Sequence, residues 1–209
     1  MKMNLPNRLT VLRLCLVPVL LAVGIIPETW IPKYVSYVIL AVLFIGASLT
    51  DMLDGKIARK RGLVTDFGKF LDPIADKFMV IGAMFVILYR FENLQLIMIF
   101  SLLIVVFREL AVTAMRLVVS TGKNIVVAAN ILGKLKTVLQ IVAISTAFLE
   151  PVLQNVIIKI YETTSGQVSA WNTDIVPLTW VTIGASLVLT IWSGIAYIAS
   201  YWKYLDPEK

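Results

Sequence analysis

Long runs of apolar residues alternate with short charged segments along the whole chain. Because a helix needs about 20 apolar residues to cross a bilayer, each run is a candidate transmembrane helix. The pattern predicts an all-α integral membrane protein with six transmembrane helices. The predicted spans are residues 11–27, 34–54, 72–90, 94–118, 128–158 and 176–202.

Two places depart from this simple pattern. Residues 1–13 carry basic and apolar residues at helical spacing after Pro6 and Asn7, which predicts a short interfacial helix leading into the first span. Glu150 and Pro151 interrupt the long fifth run. We expect them either to kink that helix or to mark its outer end.

Composition narrows the chemistry that the chain can perform. The chain has 209 residues, of which 59% are hydrophobic and 15% charged, and this predicts one membrane domain over residues 1–209. There is no histidine, so imidazole bases and histidine-liganded zinc are excluded. The single cysteine, Cys15, lies in an apolar run with no histidine to activate it, and we interpret it as a packing residue.

Positive charge is concentrated on one side of the predicted spans. Of the 19 Lys and Arg residues, all except Lys33, Arg90 and Lys159 fall on the side of the N-terminus. The positive-inside rule therefore predicts that both termini and the charged segments face the cytoplasm. Because the basic residues lie at the ends of spans, we expect membrane lipids and phosphorylated substrates as partners, and no nucleic acid.

Four aspartates stand at the ends of two apolar runs. Asp51 and Asp54 are three residues apart, and Asp72 and Asp76 are four apart, so each pair shares one face of a helix. Solvated acids at two helix ends are the simple alternative, but ionisable residues at a membrane edge usually mark a functional site. Converging carboxylates repel one another unless a cation lies between them. Ligands that are all oxygen suit Mg²⁺, Mn²⁺ or Ca²⁺ better than zinc or copper.

These aspartates belong to a longer string, DMLDGKIARKRGLVTDFGKFLDPIAD, that resembles the signature of the CDP-alcohol phosphotransferase family. The matching positions are Asp51, Asp54, Gly55, Ala58, Arg59, Gly68, Asp72 and Asp76. The resemblance implies that the four aspartates bind divalent metal, with two ions of Mg²⁺ or Mn²⁺. It also implies that Asp76 is the catalytic base that takes a proton from the attacking alcohol.

Other residues of this string and of the N-terminal segment are candidates for binding the nucleotide donor. Gly55 and Ala58 are small and share the helix face of Asp51, so a base or a pyrophosphate could approach the backbone there, although close helix packing uses such residues too. Arg59 could brace the carboxylates or hold a diphosphate oxygen. The predicted donor-binding residues are Gly55, Ala58, Arg59, Gly68, Asn7, Thr10 and Arg13.

A second group of cations lies on the fourth span and at the start of the fifth. Arg108 and Glu109 follow an apolar run, so we expect them to face protein or a wet cavity. Glu109 and Arg116 are seven residues apart on one helix face and could form a pair. Cations outnumber acids here, and a phosphate would compensate the excess. The predicted acceptor phosphate-binding residues are Arg108, Arg116, Lys134 and Lys60.

The segments RELAVTAMR and GKLKT, with the opening NLPNRLTVLR, are similar to the bacterial phosphatidylglycerophosphate synthase branch of the family. This resemblance implies CDP-diacylglycerol as donor, glycerol 3-phosphate as acceptor, and CMP and phosphatidylglycerol phosphate as products. It further implies a homodimer through the third and fourth spans, in the cell membrane of a bacterium.

Two other interpretations stay open at this point. Another enzyme of the same family would make phosphatidylserine, phosphatidylinositol phosphate or cardiolipin. A divalent-cation transporter would need acids near the middle of the membrane and in more than one access state, whereas the aspartates here lie at one edge.

Overall fold

The computed structural model describes residues 4–61, 65–123, 131–166 and 175–202. Within these ranges the chain forms six long helices, one short 3₁₀ turn at Glu92–Leu94, and no strand. The predicted all-α class is therefore confirmed. The long helices are α1 (Leu5–Ile25), α2 (Lys33–Arg61), α3 (Asp66–Arg90), α4 (Gln95–Lys123), α5 (Ile131–Ser165) and α6 (Pro177–Tyr201).

Five segments of the described chain are long and apolar enough to cross a membrane. They are Leu5–Ile25, Lys33–Met52, Glu92–Val119, Ile131–Ser165 and Pro177–Tyr201. Helix α3 is not among them because charged residues, including Asp72, Asp76 and Lys77, occupy its first half. The chain is thus a multi-pass helical membrane protein, and the sixth span, at residues 72–90, stays a prediction.

Several helix boundaries differ from those of the predicted spans, and two of the differences bear on the expectations for the first and fifth helices. Helix α1 begins at Leu5, where the Asn4 side chain accepts a hydrogen bond from the Asn7 N–H at 3.1 Å, as N-cap residues do. It then continues unbroken to Ile25, so the predicted interfacial helix is the first part of α1 rather than a separate element. Helix α5 passes through Pro151 and ends only at Ser165.

Glu150 is buried in the middle of α5 and joins it to the start of α6. Its carboxylate accepts hydrogen bonds from the Leu178 N–H at 3.0 Å, the Thr179 N–H at 2.7 Å and the Thr179 hydroxyl at 2.7 Å. The first N–H groups of a helix have no partner within it and carry partial positive charge. Because Val176 at the N-cap makes no side-chain cap bond, this carboxylate from a neighbouring helix caps α6.

Helices α1 and α3 pack closely, and two contacts at the end away from the aspartates hold them together. A side chain at Gly24 of α1 would overlap Val86 of α3, so glycine allows the two helices to approach there. Arg90 at the end of α3 donates to the carbonyl oxygens of Gly24 at 2.6 Å and Ile26 at 2.7 Å. This arginine satisfies carbonyls that α1 leaves open at its C-terminus, and the pairing of α1 with α3 positions the polar residues at the opposite end.

We predict that Glu150→Ala destabilises the protein, because it leaves the buried N–H groups at the start of α6 without an acceptor. The free energy of unfolding should fall by about 1–3 kcal/mol, as measured by reversible unfolding of the purified protein in detergent. The exposed Glu92 supplies the matched control, and Glu92→Ala should leave stability nearly unchanged. Equal stability of the two variants would show that Glu150 does not cap α6.

Candidate active site

A buried polar face of α1 contacts the acid-bearing ends of α2 and α3. Asn7, Thr10 and Arg13 follow one another at three-residue spacing and are 8%, 1% and 2% exposed. The Thr10 hydroxyl donates to Asp72 Oδ1 at 2.5 Å, and Arg13 Nη1 donates to Asp51 Oδ1 at 2.5 Å. Three residues predicted to bind the donor therefore lie beside the predicted metal ligands, and two of them bond directly to those ligands.

The start of α3 is fixed against the same face of α1. The Thr65 hydroxyl caps α3 by accepting the Gly68 N–H at 3.1 Å, and it lies 3.0 Å from Asn7 Oδ1. A Cβ atom at Gly68 would stand only 3.0 Å from Asn7 Oδ1 and 3.3 Å from Thr65 Oγ1. Gly68 therefore has a packing role in this structure. Without a side chain there, α1 can approach α3 one turn before Asp72.

Asp51 lies within electrostatic range of both Asp72 and Asp76 in this region. Asp72 is exposed, and the other two are partly exposed, so a ligand can reach all three. The backbone of α2 continues through the rest of the string to Arg61. Four predicted site residues on it have side chains outside the described part of the structure, namely Asp54, Ala58, Arg59 and Lys60.

The donor set fits the predicted metal in its chemistry. It consists of carboxylate oxygens, which hard divalent cations such as Mg²⁺ and Mn²⁺ prefer, and the mutual repulsion of these acids is what a bound cation would relieve. The described side chains alone do not include a group of three or more acidic, cysteine or histidine residues placed to hold a metal ion. The side chain of Asp54, the remaining predicted ligand, lies outside the described part.

A cavity of about 610 Å³ opens beside Asp51, between α2, α4, α5 and α6. Arg108 and Arg116 of α4 and Lys134 of α5 line it, so it brings together three of the four predicted acceptor residues. The fourth, Lys60, lies outside the described side chains. A cavity with several cations on its wall attracts anions, and its size suits a small phosphorylated molecule.

Two glycines make room for Arg108 between the helices. A Cβ atom at Gly194 of α6 would lie 3.1 Å from Arg108 Cγ, and one at Gly133 of α5 would lie 3.7 Å from Arg108 Nη2. Arg108 Nη1 donates to Glu109 Oε1 at 3.0 Å. Its Nε is buried and has no hydrogen-bond partner within the described ranges, so the guanidinium retains an unused donor next to the cavity.

Glu109 pairs with Lys136 and Arg108. It does not pair with Arg116, although the helix spacing allowed that pair. Lys136 Nζ and Arg108 Nη1 both donate to Glu109 Oε1, and the side chains of Lys136 and Glu109 are 5% and 18% exposed. One acid thus balances two cations between α4 and α5. Arg116 and Lys134 are left without an ion-pair partner among the side chains that the structure describes.

Asp76 lies next to this ion-pair group rather than in the large cavity. It lines a smaller cavity of about 70 Å³ together with Lys77, Glu109 and Lys136. Arg108 and Thr137 line both cavities, so the cavity of Asp76 adjoins the space where an acceptor would bind. The predicted base and the predicted acceptor residues are therefore neighbours.

Several residues of these cavities were not predicted from the sequence. Lys77 donates to Thr113 Oγ1 at 2.6 Å, and Lys136 forms the pair with Glu109. Both lie in basic segments that we interpreted as topological charge, and three-dimensional proximity alone reveals their partners. Ser193 and Tyr197 of α6 line the large cavity; they are embedded in an apolar run, so no sequence signal distinguishes them.

Known proteins resemble this chain over most of its length. The "CDP-alcohol phosphatidyltransferase" family profile matches residues 3–192. The Bacillus subtilis (strain 168) protein named CDP-diacylglycerol--glycerol-3-phosphate 3-phosphatidyltransferase is 44% identical over 155 residues, 70% of this chain and 77% of that protein. Proteins of the same name from Rickettsia bellii (strain RML369-C) and Escherichia coli (strain K12) are also similar. The first is 35% identical over 201 residues, covering 96% of this chain and 97% of the relative. The second is 34% identical over 152 residues, covering 72% of this chain and 80% of that protein.

The matched region contains the aspartate string, the polar face of α1 and the cations of the large cavity. Proteins of this family generally depend on divalent metal ions, which agrees with the oxygen-only donor set at the ends of α2 and α3. The family predicted from the aspartate spacing is confirmed, and the chain belongs to the CDP-alcohol phosphatidyltransferase family.

Proposed function

We propose that this chain transfers the phosphatidyl group of CDP-diacylglycerol to glycerol 3-phosphate, releasing CMP and phosphatidylglycerol phosphate. The observation that carries the proposal is the cavity in which Arg108, Arg116 and Lys134 lie beside Asp51. An acceptor with a phosphate would compensate these cations, whereas serine or glycerol would leave them uncompensated. The names of the similar proteins from B. subtilis, R. bellii and E. coli support the same donor and acceptor.

At the acid end of the site, the residues of the chain hold and orient the donor. Asp51, Asp54, Asp72 and Asp76 would bind two divalent ions, which when bound supply positive charge against the diphosphate of CDP-diacylglycerol. Arg13 and Thr10 fix the carboxylates of Asp51 and Asp72 by direct bonds. Because these partners lie on a packed helix, the ligands are held in place before the substrate arrives. The segment from Gly55 to Arg59 would contact the nucleotide.

At the cationic end, Arg116 and Lys134 would hold the phosphate of glycerol 3-phosphate, with Arg108 lining both this cavity and that of Asp76. The 1-hydroxyl of the acceptor would then point towards the acid end. Asp76 takes the hydroxyl proton as the oxygen bonds to the β-phosphorus of the donor. The bond between that phosphorus and the bridging oxygen of CMP breaks, and CMP leaves with the electron pair.

An acceptor panel tests this proposal. The purified protein is incubated with CDP-diacylglycerol and, separately, with glycerol 3-phosphate, glycerol, serine, inositol phosphate or phosphatidylglycerol. CMP release is measured, and the lipid product is identified by mass spectrometry. We expect product only with glycerol 3-phosphate. Faster CMP release with another acceptor would reassign the chain within its family, and no release with any of them would contradict the transferase proposal.

The charge distribution supports a cytoplasmic site in a bacterial cell membrane, because basic residues concentrate at the end that carries the aspartates. An Asn124→Cys substitution in a Cys15→Ala variant tests this orientation. It should react with a membrane-impermeant thiol reagent only after the cell membrane is permeabilised. Reaction in intact cells would reverse the proposed orientation.

We also propose a homodimer that forms through the third and fourth helices. Large aromatic side chains on these helices are exposed, including Phe78 at 56%, Phe85 at 48% and Phe107 at 69%, and a second copy could cover them. Native mass spectrometry from lipid nanodiscs should give twice the mass of one chain. A single-chain mass under conditions of full activity would contradict the dimer.

We predict that chelation abolishes transferase activity and that Mg²⁺ or Mn²⁺ restores it, because the proposed ligands are carboxylate oxygens. Asn substitutions at Asp51, Asp54 or Asp72 keep the side-chain shape but remove a charge, so each should raise the metal concentration needed for half-maximal rate. CMP release is followed as a function of free metal. Full turnover in excess EDTA, or wild-type metal dependence in all three variants, would contradict the metal proposal.

We predict that Arg116→Ala and Lys134→Ala weaken the use of glycerol 3-phosphate selectively. A charge-assisted contact to phosphate contributes about 1.5–3 kcal/mol, so KM for the acceptor should rise roughly ten- to a hundredfold. KM for CDP-diacylglycerol should change little. Lys159, an exposed cation of α5 outside the cavity, is the matched control. Normal acceptor kinetics in both cavity variants would remove these residues from the acceptor site.

A further inference from the structure

Tyr197 of α6 has a buried hydroxyl that the fold does not use. The residue is 5% exposed, and its Oη has no hydrogen-bond partner within the described part of the chain. Buried polar atoms are rarely left in this state, since an unmade hydrogen bond lowers the stability of the fold. Tyr197 lines the large cavity that also contains Arg116 and Lys134. A molecule in that cavity could supply the missing acceptor.

The neighbours of Tyr197 on α6 hold its ring without using its hydroxyl. The Tyr201 ring lies one turn later, with centroids 4.9 Å apart and planes tilted by 38°. Ser193 lies one turn earlier and also lines the cavity, but its hydroxyl donates to the Thr190 carbonyl at 3.1 Å. Of these two cavity-lining residues of α6, only Tyr197 has a hydroxyl without a partner in the described chain.

The other groups of the cavity determine what such a ligand must be. Arg108 Nε is a second buried donor without a partner in the described chain, and Arg116 and Lys134 add two positive charges without ion-pair partners among the described side chains. The Asp51 carboxylate, which could accept, is already bonded to Arg13. An excess of donors and of positive charge requires an anion with several acceptor oxygens, and a phosphate monoester has this chemistry.

We propose that Tyr197 is a specificity-determining residue of the acceptor site, and that its hydroxyl donates a hydrogen bond to the acceptor phosphate held by Arg116 and Lys134. This inference rests on the proposed use of glycerol 3-phosphate. It makes α6 a wall of the substrate site, together with α4 and α5. An acceptor without a phosphate would leave the Tyr197 hydroxyl unpaired in a buried place, and sites built around a hydrogen bond reject such analogues strongly.

Tyr197→Phe tests this proposal, because it removes one oxygen atom and keeps the ring. KM for glycerol 3-phosphate should rise roughly ten- to a hundredfold, while KM for CDP-diacylglycerol stays the same. Without ligand the variant should be as heat-stable as the wild type, since no bond of the free protein is lost. Tyr201→Phe is the matched control: it removes a hydroxyl one turn away, on a residue that does not line the cavity, and it should keep wild-type KM values.

A second measurement separates this proposal from the transferase assignment. Inorganic phosphate, added without donor, should raise the unfolding temperature of the wild type and of Tyr201→Phe more than that of Tyr197→Phe. If the wild type does not use glycerol 3-phosphate but this difference persists, the proposed function falls and Tyr197 remains a phosphate ligand. Two results would overturn the inference. One is a Tyr197→Phe protein with wild-type acceptor KM and wild-type phosphate shift. The other is lowered heat stability without ligand, which would mean that the hydroxyl already has a structural partner.

Discussion

The ion pair between Arg13 and Asp51 joins α1 to α2 at the end of the molecule where the acidic residues lie. An arginine that is 2% exposed must be paired, because burying an uncompensated charge is very unfavourable. One turn earlier Thr10 bonds to Asp72, and Asn7 lies against the cap of α3. At the other end, Arg90 bonds to the last carbonyls of α1. Helix α1 is thus fixed at both ends, and the aspartates take their positions from it.

Around the contacts of α1 with α2 and α3, the molecule separates charges of opposite sign. This separation accounts for the proposed chemistry. Acids gather at the ends of α2 and α3, and cations gather on α4 and α5. The two groups meet where Asp51 borders the cavity of Arg108, Arg116 and Lys134. A diphosphate donor with metal would balance the first group, and a phosphorylated acceptor would balance the second. Glu109 and Lys136 neutralise each other between α4 and α5. The cations of the large cavity are therefore left for a substrate.

Sequence reasoning succeeded where local spacing carries the information. The apolar runs predicted all six long helices, and the aspartate string identified the family, because fixed offsets on a helix place side chains on one face. It failed where the bonding partner of a residue lies far away in the sequence. Glu150 was expected at a kink or a span end, but its bonds to the start of α6, 28 residues further along the chain, were not predicted. Glu109 had Arg116 available on its own helix and pairs instead with Lys136 of α5. Tyr197 sits in an apolar run, so only the fold shows that it lines the cavity.

The claim that underlies the whole account is that the converging aspartates of α2 and α3 form a divalent-metal site. Anomalous X-ray scattering from crystals of the protein grown with Mn²⁺ tests it most directly. The account predicts strong anomalous peaks in contact with the carboxylates of Asp51 and Asp72, with Asp54 and Asp76 completing the ligands. Peaks only at other positions, such as Glu109, or no peak in crystals of active protein, would contradict it.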